Sequence, residues 1–116
     1  MSKSISTDIL ELELFHLNNE NRVSGKYIEV LHPLYKEFGA SGKITYKRDY
    51  EGLLLPESDF KLENYEIVPL SKESCLSTYV LTEIKTRQKT NRSSIWVLYL
   101  GEWKLLFHQG TIKSDD

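Results

Sequence analysis

The sequence has little cysteine, proline or unbalanced charge. Cys75 is its one cysteine, so no intramolecular disulfide can form, and a lone thiol fits a reducing compartment. Lys and Arg number 15 against 17 Asp and Glu, for a formal charge of −2. A protein that lives on phosphate backbones shows a basic excess on one face, so nucleic acid is not an expected partner. The densest basic stretch, Lys85, Arg87, Lys89 and Arg92, alternates with Thr, Gln and Asn and reads as a solvated turn between strands. No run approaches the roughly 20 apolar residues of a membrane span, and Met1-Ser2-Lys3-Ser4 lacks the apolar core of a signal peptide. The expectation is a cytoplasmic chain without a membrane partner. His16, His32 and His108 stand at no metal-ligand spacing. Gly39-Ala40-Ser41-Gly42 lacks the lysine and spacing of a phosphate loop, and no serine sits in a nucleophile elbow. Neither a metal nor another cofactor is expected.

What remains is globular in composition. Apolar residues make up 40% and charged residues 28%, and seven Tyr, four Phe and two Trp supply core or pocket walls. At 116 residues a compact chain buries roughly two thirds of the surface it exposes unfolded, enough for one core. A single domain over residues 1–116 is expected. Cys75 lies in an alternating apolar segment, where a small core residue is expected rather than a nucleophile.

Helical patterns come first and strand patterns follow, an α+β order. Ser6-Thr7-Asp8 supplies side-chain oxygens for a helix start, and Ile9 to Leu17 continues in strong helix formers. The Leu–Glu alternation at positions 10–14 also fits a strand; the cap signal favours helix. Asn18-Asn19 caps a second helix predicted from Glu20 to Leu31, weakened at Gly25 and ended by Pro33. Tyr35 to Phe38 reads as a strand, Gly39 to Gly42 as a turn, and Thr45 as the cap of a third helix from Tyr46 to Leu55. A meander follows: Phe60–Val68, Ser74–Thr86, Ser93–Tyr99 and Trp103–Gly110, the last two joined by a tight turn at Leu100-Gly101-Glu102.

Strict alternation sorts the final hairpin into two faces. One carries Arg92, Ser94, Trp96 and Leu98 opposite Trp103, Leu105, Phe107 and Gln109. The other carries Ser93, Ile95, Val97 and Tyr99 opposite Lys104, Leu106 and His108. Both are more apolar than a solvent face needs, so each needs a cover. Helices cover the first. A second copy of the chain covers the second, through Ile95, Val97, Leu106 and His108, unless the chain's own termini do so.

Arg92-Ser93-Ser94-Ile95-Trp96, a hairpin, and then Trp103-Lys104-Leu105-Leu106-Phe107-His108-Gln109-Gly110-Thr111 resemble the C-terminal signature of a group of bacterial proteins. That group is a domain of unknown function in the nuclear transport factor 2-like superfamily. Tyr35-Lys36-Glu37-Phe38-Gly39-Ala40-Ser41-Gly42 resembles the same group's first-strand motif. The resemblance covers most of the chain, more loosely before residue 31, where Arg22-Val23-Ser24 stands one residue out of register with the group's Arg-x-Ser pattern. It implies a cone: three N-terminal helices in the concave face of a curved, mostly antiparallel sheet. Relatives of that fold include ketosteroid isomerases, SnoaL-like polyketide cyclases, dehydratases, dioxygenase small subunits and binding modules, so the fold alone does not name an activity.

Glu37 is the sharpest chemical candidate. Alternation puts it with Tyr35 on one strand face. In the isomerase relatives a carboxylate on the corresponding strand abstracts a proton next to a carbonyl. Such a base needs an apolar surround, which the side of Trp96 and Phe107 would supply. Otherwise Glu37 is a buried carboxylate paired with Arg92 or hydrogen-bonded to Ser94 or Trp96, or it binds a ligand. Two readings follow. One is a non-catalytic, homodimeric module that binds a small apolar or carbonyl-containing molecule among Glu37, Arg92, Ser94, Trp96, Phe107 and Gln109. The other is an isomerase or cyclase with Glu37 as base and an oxyanion donor, such as Tyr27 or Tyr46, in the same cavity.

Overall fold

The structure is a computed structural model describing residues 5–114. Helix α1 spans Ile5–Leu17, α2 Asn19–Ser24, and a 3-10 turn Lys26–Val30 leads into strand β1, Leu31–Phe38. Strand β2, Ile44–Tyr46, and the single turn α3, Lys47–Tyr50, precede β3 (Phe60–Ser71), β4 (Ser74–Glu83), β5 (Lys89–Tyr99) and β6 (Glu102–Ile112). The six strands form one sheet in the order β2-β1-β6-β5-β4-β3, antiparallel except for β1 against β6. The curved sheet holds the helices on its inner face. Ile9 of α1 meets Trp96, Leu105, Cys75, Tyr35, Val30 and Leu31 there in the core. Cys75 is buried, and burial pushes its thiol up to about 11.

The first helix forms as predicted; the next two are shorter. The Asn18 side chain accepts from Asn21 N–H at 3.2 Å and starts α2. Gly25, at φ 85°, ends it as a left-handed C-cap. The glycine read as a weak point inside a helix to Leu31 is its terminus, and Leu31 already belongs to β1. Thr45, expected to cap a third helix, sits in β2 opposite Glu37. That helix stops at Tyr50 because Gly52 turns the chain at φ 77°, and Tyr27 Oη donates to Leu53 O at 2.6 Å. Between Leu31 and Lys36 of β1 the pairing with β6 advances by only two residues, from Leu105 to Phe107. The His32-Pro33-Leu34 segment bulges out where proline lacks an N–H.

The meander follows the predicted order, but the basic stretch does not form one turn. The β4–β5 turn occupies residues 84–88, with Arg87 at φ 63°. Lys89 and Arg92 belong to β5, and Arg92 points inward with Thr90, Ser94 and Trp96. The last hairpin closes on Leu100 and Gly101, φ 52° and 84°, a two-residue turn of the twist hairpins prefer. From it, Trp96 pairs with Leu105 as expected, but Ile95 pairs with Phe107. Leu106 is an extra residue, a β-bulge, and beyond it the facing of β6 is reversed. His108 therefore points into the cone opposite Ser94. Phe107 and Gln109 lie on the outer face with Ile95 and Ser93. Their expected places beside Trp96, and that of His108 on the outer face, are corrected by this one residue.

Candidate functional site

The inner face bounds a partly open cavity of about 290 Å³, just below the roughly 300–1,000 Å³ typical of small-molecule sites. Leu17, Leu31, Leu55, Phe60, Leu81 and Leu105 form its apolar wall. Its polar wall is built on β1, β5 and the turns above them. Alternation along β1 points Tyr35 and Glu37 inward, and α3 hangs Tyr50 over them. Tyr35 Oη donates to Glu37 Oε1 at 2.5 Å and Tyr50 Oη to the same oxygen at 2.7 Å. Burial first, and then the Glu37 charge, raise both phenols well above their usual range, so they stay protonated and donate. Glu37 Oε2 takes no hydrogen bond from the described residues.

Two arginines line the same cavity. Arg22 of α2 donates from Nε to Pro56 O at 3.1 Å and lies over the Phe60 ring at 5.3 Å. Burial lowers its pKa, against the favourable fields of Tyr50, Tyr27 and Glu83. Arg92 donates from Nε to Thr90 Oγ1 at 2.8 Å and from Nη1 to His108 Nε2 at 3.3 Å. No carboxylate of the described residues lies within ion-pair distance of it. Gly110 faces Arg92 across the β5–β6 ladder, and a Cβ there would stand 3.0 Å from Arg92 Cζ. The glycine clears the space across which the guanidinium lies.

Behind Arg92 runs a buried polar chain centred on Glu13, a residue that sequence reasoning missed. Glu13 is fully buried on α1. It accepts from Ser77 Oγ at 2.7 Å, His16 Nε2 at 2.9 Å, Tyr79 Oη at 3.4 Å and Ser94 Oγ at 3.5 Å. Burial alone would raise its pKa, but the hydrogen bonds and the fields of His16 and His108 outweigh that and hold it at about 2. Arginine only donates, so His108 Nε2 must accept. The proton then sits on Nδ1, which donates to Ser94 Oγ at 2.8 Å. Desolvation, with His16 and Arg92 nearby, lowers His108 to about 3 against the pull of Glu13, and the ring is neutral at pH 7. The chain reads Arg92 to His108 to Ser94 to Glu13. The sequence signal was the spacing Ile9, Glu13, His16, one face of a helix that buries only Ile9 and Glu13.

Of the six residues expected around a ligand, Glu37 and Arg92 line the cavity. Ser94 is buried in the Glu13 chain. Trp96 is sealed in the core, its Nε1 without a hydrogen-bond partner among the described residues. Phe107 packs edge-on against Phe38 with ring centroids 5.3 Å apart, and Gln109 Nε2 donates to Ser93 Oγ at 2.8 Å, both on the outer face. Glu37 and Arg92 do not pair with one another. Of the set expected at a dimer interface, Ile95 and Val97 face outward, Leu106 is the bulge residue and His108 lies inside. Tyr27 donates to the backbone, and Tyr46 packs under Arg48, its ring 4.6 Å from Cζ. Among the described residues no cluster of His, Cys, Asp or Glu is arranged to hold a metal ion. No helix there is long and apolar enough to cross a membrane.

This is the nuclear transport factor 2-like, cystatin-like cone fold, in which N-terminal helices precede a bent, mostly antiparallel six-stranded sheet. A nuclear transport factor 2-like protein from Cytophaga hutchinsonii is similar over 96% of this chain and 100% of its own, with TM-score 0.79 and 17% identity. A protein from Parabacteroides distasonis, provisionally named a ketosteroid isomerase, matches 97% of this chain and 91% of its own, with TM-score 0.80 and 16% identity. A protein from Exiguobacterium sibiricum, provisionally named a calcium/calmodulin-dependent kinase II association domain, matches 100% of this chain and 99% of its own, with TM-score 0.69 and 13% identity. At such identities the likeness concerns the fold. No protein-family model and no curated protein matches the chain.

Proposed function

We propose that this chain is a single cytoplasmic domain that binds a small molecule in the cone and does not transform it. One observation carries the reading: Tyr35 and Tyr50, the phenols beside Glu37, both commit their protons to that carboxylate. A proton-abstracting site needs donors aimed at the oxygen that becomes negative in the substrate. Here the phenols nearest the candidate base bond to the base itself, and Tyr27, one of the expected donors, bonds to the backbone. What stays open to the cavity is one carboxylate oxygen and parts of two guanidinium groups, a set suited to recognition. The test is a fragment screen by protein-observed NMR, comparing the wild type with Leu55→Trp, which fills the cavity wall. Fragments that shift Tyr35, Glu37 and Arg92 signals in the wild type and not in the variant support binding in the cone. Shifts that survive Leu55→Trp, or an absence of any hit, refute it.

The Oε2 atom of Glu37 gives the isomerase or cyclase reading its one foothold. Deuterium exchange at a carbon next to a ketone, catalysed by the wild type and abolished in Glu37→Gln, would establish that reading in place of the first. A homodimer through the outer sheet face, by way of Ile95, Val97 and Phe107, belongs to the same proposal. It is supported by the half-buried apolar side chains that this face carries.

A further inference from the structure

Arg92 is a partly buried cation with no carboxylate partner among the described residues, and it shares the cavity with Glu37 Oε2, which takes no hydrogen bond from those residues either. Glu37 is opposite His108 on the neighbouring strand, and His108 is opposite Ser94 on the next. Glu37 and Arg92 therefore root two strands apart, about 10 Å across the sheet. His108 lies on the strand between them, and Leu31, Leu81, Leu105 and Phe60 line the same cavity. A buried charge is stable when something neutralises it, and a carboxylate matches the planar fork of a guanidinium. Arg22 lines the same cavity, and two guanidinium groups there favour an anionic ligand. An ionised carboxylate at the other end only accepts, so the ligand must bring a donor to it.

We infer that the cavity takes a small carboxylic acid with a hydroxyl or ammonium donor at its far end. The acid group lies on Arg92, the donor on Glu37 Oε2, and an apolar body lies against Leu31, Leu81 and Leu105. This rests on the binding reading above and goes further by naming the ligand's chemistry. The Glu13–Ser94–His108 chain has a place in it. A neutral His108 accepts from Arg92 Nη1 and holds the guanidinium toward the cavity, where a charged imidazolium would repel it. Small apolar or ketone ligands lacking both groups would leave Arg92 unneutralised.

Calorimetric titration with a matched set of probes tests the inference: 4-hydroxyphenylacetate, phenylacetate, which lacks the donor, and 4-hydroxyphenylacetamide, which lacks the charge. The hydroxy acid is expected to bind, with each of the other two roughly tenfold weaker or worse. In Arg92→Gln the hydroxy acid is expected to fall to the level of the amide while the amide is unchanged. In Glu37→Gln it is expected to fall towards phenylacetate. Equal binding of acid and amide overturns the inference while leaving a binding cavity standing. So does failure of all three probes when the fragment screen finds other cone binders. Heat from the hydroxy acid that persists in Leu55→Trp places binding outside the cone and overturns both. Circular dichroism and thermal melting of each variant separate lost binding from lost folding.

Discussion

Replacing His108 with Gln is expected to remove most of the acid sensitivity of this fold above pH 5. The imidazole is enclosed by Glu13 and His16 from α1, Tyr79 from β4, and Ser94 and Arg92 from β5, with Glu37 its register partner on β1. Burial holds its folded pKa at about 3, against 6.5 for an ordinary histidine. Between those values the unfolded chain binds a proton that the folded chain refuses, so stability falls as the pH falls. The penalty is absent above pH 6.5 and grows at about 1.4 kcal/mol per pH unit below it. By pH 5 it reaches roughly 2 kcal/mol, a large share of a typical 5–15 kcal/mol total. Glutamine does not titrate, yet it can donate to Ser94 and accept from Arg92. The variant is expected to lose about 1–2 kcal/mol at pH 7 and to show a flatter profile. Urea unfolding followed by tryptophan fluorescence at several pH values from 7 to 5 measures both. A variant with the same slope as the wild type would refute the neutral, enclosed imidazole.

Glu13→Gln leaves four donors around a group that can no longer be charged. Because the folded pKa of about 2 lies below the ordinary 4.5, the stabilisation is present above pH 4.5 and lost as the pH falls through 2. It amounts to roughly 3 kcal/mol, read as the loss in urea unfolding at pH 7; an unchanged midpoint would show that Glu13 is not held as an anion. Tyr50→Phe deletes one of two donors on Glu37 Oε1 and is expected to cost about 1–3 kcal/mol, seen as a lower melting temperature. Gly110→Ala sets a Cβ 3.0 Å from the Arg92 guanidinium. It is expected to move the Arg92 Nε–H resonance while the melting temperature falls only modestly, and an unmoved resonance would mean the arginine does not lie across Gly110. Phe107→Asp on the outer face is expected to convert a dimer to a monomer in light scattering without loss of helix signal. A wild type that is already monomeric at micromolar concentration removes the dimer from the proposal.

Much of the fold is legible from local chemistry. Asn18 starts α2, turn residues separate the strands, and a tight turn at Leu100-Gly101 closes the last hairpin. Sequence and structure part where a residue has two local uses. Gly25 serves equally as a poor helix residue or a good C-cap. Thr45 serves as a helix cap or a strand residue, and only the neighbouring β1 makes it a strand. Arg92 reads both as the end of a solvated basic stretch and, by alternation with Ser94 and Trp96, as an inward residue, and the strand pairing decides for the second.

The candidate site shows the division most sharply. Its β1 half was readable, because Tyr35 and Glu37 share a face by alternation. Its β6 half was not, because alternation assumes an unbroken ladder and Leu106 breaks it. A one-residue bulge carries no composition signal here: leucines stand on both sides of the break. Yet it moves His108 from the outside of the sheet to the inside and sends Phe107 and Gln109 outward.

The order of helices and strands, the turns and the apolar stripe on which Trp96 and Leu105 meet follow from the chain's own local preferences. Which polar groups share the interior does not. Glu13, Ser77, Ser94 and His108 come from α1, β4, β5 and β6, and a buried carboxylate is tolerable only once all its donors arrive together. That condition is set by packing across the cone, where the desolvation of one side chain is offset by others up to 81 positions away.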